Sequence, residues 1–286
     1  MRVKTAAKIN LALDVVGRLD NGYHAIESVF QTVGIYDEVT VELCEGTDIE
    51  ITCEMPQKFA DADPIPCDEH NIAYKAARAY LDRNGLEAGC RIHIKKDIPS
   101  QAGMGGGSSD AAAVVYCLHK LLGKDIPPTQ SIGADVPFFL TGGTAYVSGI
   151  GENIRPITDY SGRILVIAKG TEGVSTAEAY GLIDGMEAPA HPDTDRLVNA
   201  VENAPDEAYR YFGNLFEEAV HLREVGDIED KMTSCGALRA VMTGSGSAVF
   251  GLFTERESAE ICAAKLRTDG YFAEVCETVG SSFIEE

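Results

Sequence analysis

The stretch Pro99-Ser100-Gln101-Ala102-Gly103-Met104-Gly105-Gly106-Gly107-Ser108-Ser109-Asp110 is the part of the chain best suited to chemistry. Four of the five residues from Gly103 to Gly107 lack a Cβ, so their backbone N–H groups can turn toward a common point. A helix beginning just after this run adds unpaired N–H donors and a partial positive charge. The pattern predicts an anion cradle whose ligand is a phosphate group. It is not a Walker A loop, because no Gly-Lys-Ser/Thr follows, nor a dinucleotide fingerprint, because Ser108 stands where the third glycine belongs. A flexible loop with a serine N-cap is the plainer alternative, but so dense a glycine run with two hydroxyls favours phosphate.

Three other positions carry polar groups in suggestive settings. Gly133-Ala134-Asp135-Val136-Pro137-Phe138-Phe139 sets one carboxylate among apolar neighbours, as a general base or metal ligand requires. Taken alone, such an aspartate is more often a helix or turn cap. Lys8 in isolation reads as a strand lysine with its head in solvent. Thr243-Gly244-Ser245-Gly246-Ser247 joins two apolar strands, and a hairpin turn alone accounts for its glycines, although such a turn can also approach a ligand closely.

The elements that must hold these groups follow from periodicity. From Lys8 to Val15 polar and apolar residues alternate, which predicts a strand with Ile9, Leu11, Leu13 and Val15 on one face and Lys8, Asn10 and Asp14 on the other. An Asp20-Asn21-Gly22 turn and strands at Val29–Val33, Val39–Leu43, Ile49–Cys53 and Arg91–Lys95 complete a half-covered sheet. Helices are expected over Asn71–Leu81, with Gly85 at its end, and over Ser109–Leu122, with Gly123 at its end. Strands are expected at Thr144–Ser148 and Arg163–Ala168. The last third alternates helices (Thr176–Ile183, Asp195–Glu202, Leu215–Val225, Ile228–Ser234, Glu255–Thr268) with strands (Leu238–Met242, Ala248–Phe253, Phe272–Glu277). The interleaving lacks a strict βαβ rhythm, so the expected class is α+β in two parts, residues 1–157 and 158–286, with the turn-rich run Ile154–Gly162 as the boundary.

Length and composition narrow the function. A chain of 286 residues has room for about two domains. Its formal net charge of −21 repels phosphate backbones and anionic lipid, so nucleic acid and membrane are not expected partners. The eight cysteines never lie closer than nine residues apart, which excludes CxxC redox and zinc-knuckle spacing. They read as buried hydrophobes in a reducing compartment. Lys8, Asn10 and Asp14 interrupt the apolar N-terminal stretch, leaving no signal-peptide core, and a cytoplasmic protein is expected.

Ala7-Lys8-Ile9-Asn10-Leu11, Gly22-Tyr23-His24, Asn71-Ile72, the Pro99–Ser109 loop, Gly133–Phe139, Val174-Ser175-Thr176 and Met242–Phe250 together resemble the galactokinase, homoserine kinase, mevalonate kinase and phosphomevalonate kinase (GHMP kinase) family. The resemblance spreads over almost the whole chain. It implies an N-terminal ribosomal-protein-S5-like α/β domain, a C-terminal ferredoxin-like α+β domain, and an active site between them. It further implies ATP-dependent phosphorylation of a small-molecule alcohol, with Mg²⁺ accompanying the nucleotide and no particular metal ligand indicated. Asp135 would be the catalytic base and Lys8 its cationic partner. Asn71, Pro99, Ala102, Gly103, Met104, Gly105, Gly106, Gly107, Ser108 and Ser109 would bind ATP. Gly22-Tyr23-His24 and Gly133–Phe139 resemble the branch whose acceptor carries a cytidine diphosphate group. Asn10, Tyr23, His24, Thr176, Tyr180, Gly244 and Ser245 would bind that acceptor. Tyr180 enters only through the resemblance, four positions after Thr176. The alternatives are another small-molecule kinase of the homoserine or mevalonate type, or a catalytically silent nucleotide-binding relative, against which the retention of both Lys8 and Asp135 argues. Two departures stand out. Gly123–Ile132 is shorter than the helical stretch the family places before Gly-Ala-Asp, so either that helix is lacking or residues are missing from the run. Met104 replaces a usual leucine, a near-isosteric change.

Overall fold

In the computed structural model, which describes residues 1–59 and 64–286, the chain begins with two long antiparallel strands, β1 (Arg2–Arg18) and β2 (His24–Cys44). Each is longer than the alternation suggested, and β2 fuses the two strands expected at Val29–Val33 and Val39–Leu43. The register between β1 and β2 shifts at Ala6/Ala7, Asn10/Ala12 and Val15/Gly17. The middle shift has a direct consequence. Asn10 pairs with Phe30 but Ala12 pairs with Val29, so Leu11 is an extra residue and the side chains from Ala12 up to the next shift at Val15/Gly17 change face. Leu13, not Asp14, therefore shares the Lys8–Asn10 face. Asp14 turns the other way, where Oδ1 lies 2.7 Å from His191 Nδ1, and its expected place beside Lys8 is corrected.

The first part continues with β3 (Ile49–Glu54), α1 (Ile72–Arg83), β4 (Gly89–Lys95), α2 (Gly106–Leu122), α3 (Val136–Thr141), β5 (Thr144–Gly149) and β6 (Asn153–Pro156). The second adds β7 (Ile164–Lys169), α4 (Thr176–Ile183), α5 (Thr194–Asn203), β8 (Gly213–Asn214), α6 (Phe216–Ala219), α7 (Arg223–Ser234), β9 (Arg239–Met242), β10 (Val249–Phe253), α8 (Arg256–Thr268), β11 (Phe272–Glu277) and β12 (Phe283–Glu285). Between Gly123 and Ile132 the chain runs on without an α-helix, with a single 3₁₀ turn at Thr129–Ser131. The single helix expected over Leu215–Val225 is broken, because Val220 is extended (φ −105°, ψ 99°). Phe216 and Val225 consequently enter one core from two helices.

Among the described residues there are two sheets. The first has the path β12-β1-β2-β4-β3, with β5 added on β2, β6 on β5, and β8 on β1. The second is β11-β7-β10-β9, antiparallel throughout. Its elements run β7-α7-β9-β10-α8-β11, the β-α-β-β-α-β order of a ferredoxin-like unit, as the resemblance implied. The division at 157/158 needs one correction. β8 and β12 come from the second part but pair with β1 in the first sheet.

Nor is the first sheet half covered. The Ile9–Leu11 face of β1 packs against Ile167 and Phe250 of the second sheet, while α1, α2 and α3 cover the Phe30 face. Lys8 and Asn10 are consequently buried at the sheet–helix junction. No helix among the described residues is long and apolar enough to cross a membrane.

Candidate active site

The glycine run becomes a strand–helix junction with an open helix end. α2 begins at Gly106, three residues before the expected Ser109, after Gly105 in the left-handed region (φ 69°), and no side chain caps it. The first N–H groups of a helix have no intrahelical acceptor, so these donors face the loop. The glycines differ in purpose. A Cβ on Gly103 would lie 2.1 Å from the Thr243 carbonyl oxygen, and one on Gly244 would lie 2.7 Å from Gly103 Cα. The two glycine turns thus pack backbone on backbone, which brings Gly244 and Ser245 to the Lys8 side. A Cβ on Gly105 would meet the Phe139 ring at 3.0 Å and Lys8 Cγ at 3.3 Å.

Two adjoining cavities meet at this junction. The larger, of about 1030 Å³, takes in Lys8, Asn10, Tyr23, His24, Asp135, Thr176, Tyr180, Gly244 and Ser245. The smaller, of about 470 Å³, takes in Asn71, Pro99, Ala102, Met104, Gly106 and Gly107. Gly103, Gly105 and Ser108 line both, so the cradle stands between a lobe for one ligand and a lobe for another.

Lys8 and Asp135 come together at the same junction. Lys8 Nζ donates to Asn10 Oδ1 at 2.8 Å and lies 3.7 Å from Asp135 Oδ2. It also sits 4.6 Å from the centre of the Phe30 ring, a cation–π contact. Burial lowers the Lys8 pKa, and Asp135 opposes that shift. The Asp135 carboxylate makes no capping bond to α3, and its side chain is 28% exposed, so it is available to a ligand. The bland readings, a capping aspartate and a solvated lysine, do not describe these two residues.

Other expected ligands are spent on the scaffold. Asn10 Oδ1 accepts from Lys8 Nζ, from Gly244 N at 3.0 Å and from Thr243 Oγ1 at 3.2 Å, while Nδ2 donates to Ser28 Oγ at 3.0 Å. Asn10 therefore positions Lys8 and the Gly244 turn. Asn71 caps α1, its Oδ1 accepting from Ala73 N and its Nδ2 donating to the Pro66 carbonyl. Ser109 is fully buried, its hydroxyl donating to the Ala6 carbonyl at 2.7 Å and lying 2.6 Å from Thr5 Oγ1. It ties α2 to β1 and, unlike Ser108, lies away from the cradle.

At the far end of the larger lobe His24 stacks on Tyr180, with ring centroids 4.6 Å apart and planes at 18°. Tyr180 meets Phe216 edge-on at 5.0 Å. Tyr23 lines the same lobe but is 61% exposed and is not part of the stack. Thr176 Oγ1 lies 3.2 Å from Ser245 Oγ, linking α4 to the glycine turn.

Some positions had no signal in the sequence. Asn214 Nδ2 donates to the Met242 and Gly244 carbonyls at 2.7 and 2.8 Å, holding the turn from below. Lys96, Asp37 and Asp110 form a buried ion cluster beside the cradle, with Lys96 Nζ 2.6 Å from Asp110 Oδ2 and also paired with Asp37. Burial opposes the Lys96 charge, but the two carboxylates raise its pKa overall. Asp184, which meets His24, was likewise unmarked. As oxygen donors for a magnesium ion the larger lobe offers the Ser108 hydroxyl and the Asp135 carboxylate, a set that suits an ion bound mainly through nucleotide phosphates and water.

The profile described as GHMP kinases N terminal domain matches residues 71–143, and that for GHMP kinases C terminal matches residues 197–271. A Clostridium botulinum (strain Hall) protein named 4-diphosphocytidyl-2-C-methyl-D-erythritol kinase is 39% identical over 278 residues, covering 93% of this chain and 96% of the relative. A Clostridium kluyveri protein of the same name is 38% identical over 286 residues, covering 94% of this chain and 96% of the relative. A crystal structure of 4-(cytidine 5'-diphospho)-2C-methyl-D-erythritol kinase superposes with a TM-score of 0.79 at 29% identity, over 98% of this chain and 100% of that one. A homoserine kinase from Cytophaga hutchinsonii, with a TM-score of 0.76 at 18% identity over 99% of this chain and 96% of that one, shares the fold.

Proposed function

This chain belongs to the GHMP kinase family, and on that premise we propose that it is an ATP-dependent small-molecule kinase that phosphorylates the 2-hydroxyl of 4-diphosphocytidyl-2-C-methyl-D-erythritol, a step in non-mevalonate isoprenoid precursor synthesis. The observation that carries the acceptor is end-to-end similarity, at 38–39% identity, to proteins bearing that name. The two-lobed cleft supports it, since ATP and a cytidyl acceptor need separate sites that meet where phosphate is transferred.

The acceptor is a tertiary alcohol, a poor nucleophile until its proton is drawn away. Asp135 takes that proton as the oxygen forms its bond to the γ-phosphorus and ADP departs. Lys8, 3.7 Å from that carboxylate and within the larger lobe, offsets charge developing on the transferred group. The free N–H groups of α2 and the hydroxyl of Ser108 hold the phosphates, which compensates locally for the acidic chain. Mg²⁺, held by the phosphates with Ser108 and Asp135 as the protein's oxygen donors, would supply further neutralisation of the transferred charge.

The test is ADP release measured side by side with the cytidyl substrate, mevalonate, homoserine and galactose. Turnover of the cytidyl substrate alone is expected. Turnover of only another acceptor would overturn the assignment, and turnover of none would favour a silent relative.

A further inference from the structure

Both polar ends of one residue in the second glycine turn are held by asparagines. Gly244, in the left-handed region (φ +60°), donates its N–H to Asn10 Oδ1 at 3.0 Å, and its carbonyl accepts from Asn214 Nδ2 at 2.8 Å. Asn214 is buried and fully engaged. Its Oδ1 accepts from Phe216 N at 3.0 Å, and Nδ2 also donates to the Met242 carbonyl at 2.7 Å. Its strand, β8, runs parallel to β1 beside Ala12 and Leu13, so the turn is pinned from β1 at one end and from β8 at the other. The direction of the Gly244 carbonyl also sets that of the next N–H, because the two are opposed across a trans peptide plane. Asn214 draws the carbonyl toward the interior, while Gly244 and Ser245 line the larger lobe.

From this geometry we infer that Asn214 is a positioning residue that turns the Ser245 N–H into the larger lobe, as a backbone donor to a phosphate oxygen beside the cradle. The inference rests on the phosphoryl transfer proposed above. Among the described residues the Ser245 N–H has no hydrogen-bond partner, whereas those of Thr243, Gly244 and Gly246 bond to the Ala248 carbonyl, Asn10 Oδ1 and the Thr243 carbonyl. A backbone donor at a half-buried position requires an acceptor. Phosphate is that acceptor because of where the turn sits. A Cβ on Gly244 would lie 2.7 Å from Gly103 Cα, so Ser245 adjoins the cradle, on the side that Lys8 occupies. The phosphate is either the group in transfer or the acceptor's own diphosphate. A fixed N–H stabilises charge at such a point without reorganising as the charge develops. Residue 214 must be an amide to do this, since it offers two N–H donors and one acceptor in a single fork, where a carboxylate would set an oxygen against two carbonyl oxygens.

Two readouts test this on the full chain. The first, which needs no variant, is the ¹H–¹⁵N resonance of the Ser245 amide. It should move downfield when the wild type binds ADP with aluminium fluoride, which mimics the phosphoryl group in transfer, or CDP, which carries the acceptor's diphosphate. The probe that moves it identifies the phosphate, and a resonance unmoved by both would overturn the inference. The second is Asn214→Asp, an isosteric change that still accepts from Phe216 N. The downfield movement should be lost, and kcat/KM should fall about 10-fold or more with ADP affinity little changed in calorimetry. Burial raises the pKa of the new carboxyl, and once protonated it can donate to one of the two carbonyls, so the loss relative to the wild type should shrink as the pH falls. A loss indifferent to pH, or wild-type kcat/KM in the folded variant, would overturn the role of Asn214. A wild type that turns over no acceptor while its Ser245 amide still responds would overturn the proposed reaction but leave that role standing.

Discussion

The Lys8 ammonium stands 3.7 Å from an oxygen of Asp135, while its shorter contact, 2.8 Å, goes to the Asn10 side-chain oxygen. A neutral acceptor therefore fixes the position of the cation. Its charge remains available to Asp135 and to whatever lies between them. The same Asn10 oxygen also accepts from Gly244 N, so the catalytic strand and the glycine turn of the second part are set by one side chain.

Asp135→Asn preserves shape and removes the proton acceptor. kcat should fall by roughly 10²–10⁴ while ATP affinity changes little. Lys8→Met should do comparable damage. Steady-state kinetics together with an ATP titration of each folded variant check both, and near-normal kcat in either would remove it from the assigned role.

The glycines should separate by what surrounds them. In Gly103→Ala the new Cβ would meet the Thr243 carbonyl oxygen at 2.1 Å, in a residue with φ +70°. Thermal unfolding should show a loss of about 2 kcal/mol or more. Gly107 has only Ile72 Cγ2, at 3.4 Å, near its Cβ position. Gly107→Val should therefore leave the second sheet folded but block approach of phosphate, lowering ADP affinity about 10-fold or more in calorimetry, whereas in Gly106→Val, where the Cβ would meet Ile98 Cγ2 at 3.1 Å, the same loss of affinity should come with a lower Tm.

Tyr23→Ala, His24→Ala and Tyr180→Ala should each raise the acceptor KM about 10-fold or more and leave the ATP KM alone, because base stacking is worth roughly 1–3 kcal/mol. Tyr23 is exposed, so its loss should hardly alter Tm. Tyr180 also packs edge-on against Phe216, and its loss should cost about 2 kcal/mol of stability as well. Equal effects on both substrates would exclude these residues from the base pocket.

A carboxyl pair below β9 predicts a pH dependence unrelated to catalysis. Burial and the neighbouring Glu217 push Glu229 up to about 8, while Glu217 accepts from Met242 N at 2.5 Å. The folded protein then holds a proton that the unfolded chain releases near the ordinary glutamate value. Stability from this group is complete below about pH 4.3 and is lost as pH rises through about 8. Glu229→Gln should flatten the Tm profile between pH 5 and 8 relative to the wild type. An unaltered profile would show that the pair does not govern it.

Sequence alone determined the local features: the glycine-rich run at Gly103–Gly107, the helix after it, the ββ turn at Asp20–Gly22, and the carboxylate of Asp135 among apolar neighbours. Each follows from what neighbouring residues can do with their own backbone. What several side chains do was decided only by tertiary structure. Alternation placed Asp14 with Lys8, but one extra residue at Leu11 reversed the faces beyond it, and nothing in the alternation marks where a partner strand will slip. Asn10 and Asn71 look like free amides in sequence, yet Asn10 bonds the Gly244 turn 234 residues away, and Asn71 caps its own helix. Ser109 went to Thr5 and Ala6, while Ser108 beside it faces the cavities, because successive helix positions are turned about 100° apart. His24 and Asp184, 160 residues apart, meet only because the second part folds back onto the first hairpin. Whether a polar group is a ligand or a strut depends on which distant partner satisfies it, and that is a property of packing rather than of residue type.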